Sequence, residues 1–430
     1  MKIPPWPDFK GYRNIELGLT RVYDLLDRLD NPQNNLPPTI HIAGTNGKGS
    51  TLSFLRQIFT EAGYSAHIYT SPHLVNFNER IVLAGAEISD NFLSECLLEC
   101  KKASNKSPKI EVTFFEGITA AAFLAFSKVK ADVLLLETGM GGRLDATNIL
   151  PKVLCSIITP IAFDHTDFLG KTLQKIAFEK AGIIKKNCPV IVGKQKKSAL
   201  ETIAKEASLK NSEIKIFNQN WKIKKRKDEF LFSGFGKKLI LPLPSLSGDH
   251  QIENASVAIA SIISQKKFKI TKNHIKSALT KTFWQARLQK ITSGKFFQIL
   301  PKNYELYLDG SHNLQGAATV GKFLKSKKDK KIFVIFSMLQ DKNCEGFLQK
   351  ISPIINQLIA LEIPNETKSY QKEEIVKIAK KLQIQSMSAD NFNEAFSKIL
   401  SKNEKEKDSI ILVCGSLYLA GSFLERNQDL

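Results

Sequence analysis

Two hydrophobic periods alternate along this chain. Short continuous apolar runs, Thr39–Ala43, Val133–Glu137 and residues 153–159, predict strands covered on both faces of a parallel sheet. Residues 66–70 predict another strand beside them. Between these runs the apolar residues recur at helical spacing over residues 50–62, 90–102 and 115–127 and from about Thr172. Leu17, Leu19, Val22, Leu25, Leu26 and Leu29 predict an amphipathic lead-in helix within residues 1–38, ended by Asn31-Pro32. Strands and helices alternate on to about Gly193, the pattern of an α/β fold.

The pattern changes over residues 214–243, where short alternating segments predict an antiparallel flap on the sheet edge. Helices follow over residues 251–264, opening at Asp249-His250, and 272–280; the segment Phe283 to Arg287 then closes the first domain. From about Lys295 the alternation restarts, with strands at 304–308, 332–336, 358–363 and 409–414, a helix at 315–324 and another reaching Ile355. The expected architecture is α/β. An N-terminal P-loop ATPase domain with a mostly parallel sheet occupies residues 1–290, and a smaller C-terminal Rossmann-like α/β domain occupies 291–430. No internal repeat or low-complexity tract interrupts either.

Composition narrows the class. At 430 residues the chain exceeds one ordinary domain, and no apolar run approaches the ~18 residues of a membrane span. The first residues lack the apolar core of a secretory signal, and six cysteines without CxxC spacing read as reduced thiols, so a cytoplasmic protein is expected. A net charge of +20 raises nucleic acid as a partner. Against that, the lysines are spread along the chain, and the dense runs at 322–331 and 222–227 lack interleaved aromatics and read as solvated surface. The positive field equally suits small polyanions such as ATP or an oligoglutamate tail.

Candidate chemistry centres on residues 41–50, HIAGTNGKGS. Strand, glycine-rich turn and helix in that order make a phosphate cradle, in which Gly44, Thr45, Asn46, Gly47 and Gly49 offer backbone N–H groups and Lys48 a point charge. Ser50 or Thr51 is placed to offer a hydroxyl to phosphate-bound Mg²⁺; Gly49 between Lys48 and Ser50 departs from the standard Walker A spacing. Ser71, Glu137 and Asp164-His165 stand at the C-terminal ends of predicted strands, where open parallel sheets bind ligands, and are suitable Mg²⁺ ligands.

Several further segments stand in order: SPHLVNFNERI, ETGMGGRLDATN, DHTDFLG, FEKAGIIK, HQIENA, LDGSHN and CGSLYLAG. Together with HIAGTNGKGS they resemble the Mur ligase superfamily, and within it the folate branch of folylpolyglutamate synthase and bifunctional dihydrofolate synthase. The resemblance implies ATP-driven amide formation: a carboxylate attacks the γ-phosphate, and L-glutamate then displaces phosphate from the acyl phosphate. It implies two Mg²⁺ ions, held by Ser50, Ser71, Glu137 and His165. Lys48 and the loop amides would hold the phosphates, and Asn254, Arg287 and Asp309 the nucleotide. His312 and Ser416 would serve glutamate or the acyl phosphate. Arg80, Thr113, Phe115, Glu116 and Asp145 would line the pterin side, with dihydropteroate or a reduced folate as acceptor and a monomer as the working form. Lys180 matches the lysine that reacts with CO₂ to a carbamate in Mur-type ligases. Where the branch usually carries Pro-Gly-Arg, this chain has Gln285-Ala286-Arg287, keeping only the arginine. The competing readings are a Mur-type ligase acting on a UDP-muramyl peptide and a basic P-loop protein that binds nucleic acid.

Overall fold

The computed structural model describes residues 4, 6–7, 17–401 and 408–428. The chain forms two compact units, one of Met1–Ser245 with Gln251–Phe283, the other of Leu246–His250 with Trp284–Leu430.

The first unit is built on strands β1 (Thr39–Ala43), β2 (Ala66–Tyr69), β3 (Ile81–Leu83), β4 (Ala86–Glu87), β5 (Val133–Glu137), β6 (Cys155–Ile158), β7 (Val190–Val192) and β8 (Ile214–Ile216). They form one sheet in the order β4-β3-β2-β5-β1-β6-β7-β8. All pairings are parallel except those that add β3 and β4 at one edge. Every residue of β1 and β5 is buried, which is why both read as unbroken apolar runs. Helices Lys48–Glu61, Asp90–Ser104, Phe114–Lys128 and Leu173–Ala181 begin within two residues of their expected starts. Phe114–Lys128 carries so few polar residues because eleven of its residues, from Glu116 to Phe126, are buried.

Several expectations need correction. Residues 214–216 do not start the antiparallel flap but extend the parallel sheet as its last strand. The flap is a separate sheet of β9 (Trp221–Lys225), β10 (Glu229–Gly234) and β11 (Lys237–Pro242), in the order β11-β10-β9. Residues 110–113 belong to no strand or helix, and Thr113 caps the helix that follows. The lead-in helix spans Thr20–Asp27, and the part expected within residues 8–16 lies outside the described residues.

The second unit carries strands β12 (Gln289–Ile291), β13 (Tyr304–Leu308), β14 (Lys331–Phe336), β15 (Gln357–Ala360), β16 (Ser386–Ser388) and β17 (Ser409–Cys414), ordered β12-β13-β17-β14-β15-β16. Only β12 runs antiparallel. Its helix expected to reach Ile355 ends at Ile351. Stacked and tilted rings of Phe296, Phe392, Phe396 and Phe423 form an aromatic core. All six cysteines are buried free thiols, and no helix among the described residues is long and apolar enough to cross a membrane.

Candidate active site

The phosphate loop follows β1. Gly44 takes φ +151° and packs so closely on Thr159 that a Cβ there would sit 1.9 Å from its Oγ1. The N–H groups of Thr45 and Asn46 both donate to the Pro160 carbonyl, tying the loop to the end of β6. Gly47, at φ +86°, turns the chain into the helix Lys48–Glu61. The first-turn amides of that helix have no acceptor within it, which suits an anion.

Two lysines converge on one backbone oxygen: Lys48 Nζ donates to Gly44 O at 3.2 Å and Lys180 Nζ to the same oxygen at 2.9 Å. Lys48 is the first residue of the helix and lies 3.7 Å from Glu137 Oε1. The other oxygen of Glu137 accepts from Thr70 Oγ1 at 2.6 Å. Lys180 is 5% exposed, so it does not reach solvent from its helix. Its burial and the Lys48 charge push its pKa down to about 7, with Asp164 and Asp145 acting weakly the other way.

The 139–149 loop, which packs on the end of the helix Leu173–Ala181 that carries Lys180, is equally tight. Arg143 pairs with Glu179 at 3.0 Å, and Asn148 Nδ2 donates to the carbonyls of Arg143 and Gly182. Asp145 is buried; its Oδ1 accepts from Thr147 and its Oδ2 from the Met140 N–H. Since Thr147 gives its hydroxyl proton to Asp145, His41 Nε2 must donate to Thr147 Oγ1 at 2.9 Å. His165 sits at φ +48° and opens the short helix Thr166–Leu169, just after Asp164. Ser50 is buried in the first turn of the loop helix, and Ser71 is half-buried beyond β2.

On the β2–β3 side, Arg80 Nε donates to His73 Nδ1 at 2.8 Å and its guanidinium lies 5.3 Å over the Phe77 ring. Phe77 in turn meets Phe114 edge-on, while Phe115 contacts Tyr69 and lies against Gly139. Thr113 and Glu116 form a capping box, and Glu116 also pairs with Arg21 at 2.9 Å. These two side chains therefore order the helix start beside the aromatic wall.

In the second unit, Asp309 accepts from the Leu288 and Ser311 N–H groups, and Arg287 Nη1 donates to Ala286 O. Ala286 holds φ +54° where the branch usually has glycine. His312 Nδ1 donates to Gly310 O, and Ser416 caps the helix Leu417–Arg426.

Sequence reasoning missed Thr70, which holds Glu137, and Glu79, whose carboxylate accepts from the N–H groups of Leu74, Val75 and Asn76. Asn76 and Glu79 carried a readable signal, the spacing of a capping box. Thr70 carried none.

Residues 42–262 match the family described as Mur ligase middle domain, and residues 292–426 match dihydrofolate synthetase, C-terminal domain. The dihydrofolate synthase/folylpolyglutamate synthase of Bacillus subtilis is 32% identical over 430 residues, spanning 96% of this chain and 95% of its own. The chain belongs to the folate branch of the Mur ligases. It is accordingly a ligase. Two solved structures of this branch superpose well. Escherichia coli FolC in complex with DHPP and ADP has a TM-score of 0.86 at 29% identity, covering 96% of this chain and 94% of that one. The bifunctional enzyme of Yersinia pestis, complexed with AMPPNP and a Mn ion, has 0.84 at 27%, with coverage of 96% and 94%.

The donor set fits a hard divalent cation. Among the described residues no group of three or more His, Cys, Asp or Glu is assembled to hold a metal. A buried carboxylate, Glu137, with hydroxyls beside a phosphate cradle is the sparse set that Mg²⁺ takes when substrate phosphates complete its shell.

Proposed function

We propose that this enzyme uses ATP to join L-glutamate to dihydropteroate and to the glutamyl tail of reduced folates, through an acyl phosphate. The observation that carries the reading is the meeting of Lys48 and Lys180 on the Gly44 carbonyl, with Glu137 alongside. Nucleotide and folate acceptor are assigned to residues 1–290, and glutamate handling to residues 291–430.

The work of such a site is positioning and charge neutralisation. Lys48 and the amides from Gly47 to Ser50 hold the phosphates and offset the charge that gathers as the acceptor carboxylate attacks phosphorus, while the Thr45 and Asn46 amides, expected to join them, are spent on the Pro160 carbonyl and brace the loop. Glu137, Ser50, Ser71 and His165 would hold the Mg²⁺ ions, which when bound neutralise the phosphate oxygens. Thr70 keeps the Glu137 carboxylate aimed. Asn254, Arg287 and Asp309 hold the nucleotide, and His312 and Ser416 are assigned to glutamate or the acyl phosphate. His312 spends its Nδ1 proton on Gly310 O, which fixes the orientation of the ring. Arg80 offers a buried cation on the folate side, Phe115 an aromatic face, and Asp145 a buried carboxylate beside it.

Lys180 is assigned a further step. The ammonium first loses one proton, and the neutral amine adds to the carbon of CO₂ and loses a second proton to solvent, giving a carbamate that replaces a cation beside Lys48 with an anion. Burial supports this, because it keeps a large share of the amine neutral and nucleophilic near pH 7.

The test is glutamate-dependent ADP release, measured in parallel with dihydropteroate and tetrahydrofolate. Turnover is expected with both. Turnover with one makes the enzyme monofunctional, and turnover with neither removes the folate reading.

A further inference from the structure

Gln251 and Asn254 lie one turn apart on the helix Asp249–Ser264, at i and i+3, where two side chains share a face. Gln251 is fully buried and Asn254 is 4% exposed. Asn254 Nδ2 donates to Gln251 Oε1 at 3.0 Å. That bond decides which way the Asn254 amide faces, with nitrogen toward Gln251 and oxygen toward the phosphate loop. A Cβ on Gly47 would lie 2.4 Å from Asn254 Oδ1, so a hydrogen on the glycine Cα faces that oxygen. Rotating the amide would set an NH₂ group against that hydrogen instead.

We propose that Gln251 is a positioning residue for the phosphate loop, acting through the Asn254 amide; this rests on the reading of that loop as the ATP cradle. Gly47 is then gripped twice. Its carbonyl accepts from Thr51 N–H at 2.9 Å at the start of the loop helix, and its Cα is seated on Asn254. Gly47 is the residue that hands the chain to Lys48, so the direction of Lys48 and of the first free amides depends on this seat. Gln251 Nε2 is buried without a hydrogen-bond partner, a cost that a space-filling methionine or leucine would avoid. The amide therefore contributes through its acceptor oxygen, not through packing.

The experiment compares Gln251→Met, which removes the acceptor at similar volume, with Gln251→Glu, which retains it. Each is also made in an Asn254→Ala background. Gln251→Met is expected to raise KM for ATP about tenfold, with kcat within about threefold and KM for the pteroate acceptor unchanged. Gln251→Glu should return KM for ATP to within about threefold of wild type. In the Asn254→Ala background the methionine substitution should add nothing further. An unchanged KM in Gln251→Met, an equal effect with and without Asn254, or a loss confined to thermal stability would each overturn the proposal. Lys48→Ala is measured beside them. If it binds ATP as wild type does, the cradle reading falls and this inference with it. If it loses ATP while Gln251→Met does not, only the inference falls.

Discussion

Burial of Lys180 makes a quantitative claim about its chemistry. At pH 7 an amine with a pKa of about 7 is half neutral, against roughly one molecule in three thousand at the ordinary 10.5. The neutral fraction available to CO₂ therefore rises by on the order of 10³. The perturbation is removal of CO₂ from wild-type enzyme by purging at mildly acidic pH, beside Lys180→Ala in air. Carbon NMR with labelled bicarbonate should show one protein-bound carbamate in the wild type and none in the variant. ADP release should fall with CO₂ removal and return on adding bicarbonate. Lys180→Ala should lose at least about a hundredfold in kcat and recover partly with added short carboxylates. The same burial sets a stability slope in CO₂-free buffer. The folded-state pKa lies below the unfolded value, so between about pH 7 and 10.5 the unfolded chain binds more protons and stability rises with pH. From pH 7 to 8 the gain is about 1 kcal/mol, and Lys180→Met should abolish it in urea titrations. Fully active Lys180→Ala, or unlabelled active wild type, would refute the carbamate. An unchanged slope in Lys180→Met would refute the burial argument itself.

Three further outcomes follow from the loop geometry. Lys48→Ala should abolish glutamate-dependent ADP release while its circular dichroism and melting temperature stay near wild type, since one half-buried ion pair with Glu137 is lost. Gly47→Ala should weaken ATP binding more than tenfold and destabilise the fold by about 1–2 kcal/mol, because the new methyl meets Asn254 at a φ of +86°; calorimetric titration with ATP checks it. Thr70→Val deletes the 2.6 Å bond to Glu137 and should weaken Mn²⁺ binding in the presence of ATP by about 10- to 100-fold, read by electron paramagnetic resonance.

What could be read from the chain followed burial. Strands β5, β13 and β17 lie at the bounds the apolar runs marked, because every residue of the three except Glu305 is buried and the buried positions are mostly apolar. Residues 364–408 went unread, although Ile375 with Ala379 and Ala395 with Ile399 bury one stripe each of helices Lys372–Lys381 and Phe392–Leu400. Dense lysine masks the stripe of Lys372–Lys381 in a linear reading. At the candidate site the segments were legible but their contacts were not. Lys180 could be placed on a helix after Thr172, yet nothing local distinguishes a lysine aimed at solvent from one aimed at Gly44 O. That distinction arises from the glycines: Gly142 and Gly182 let the 139–149 loop close on the end of the Lys180 helix, where a Cβ would come within 2.9 Å of Lys180 O or 2.3 Å of Arg143. The glycines that look like mere turn formers thus set how deeply the lysine is buried, and through that burial its pKa. A methyl group at Gly182 should therefore lift Lys180 toward solvent and raise its pKa toward the ordinary value, so carbamate labelling at pH 7 should drop even though Lys180 itself is untouched. Undiminished labelling in folded Gly182→Ala would break the link between backbone closeness and lysine chemistry.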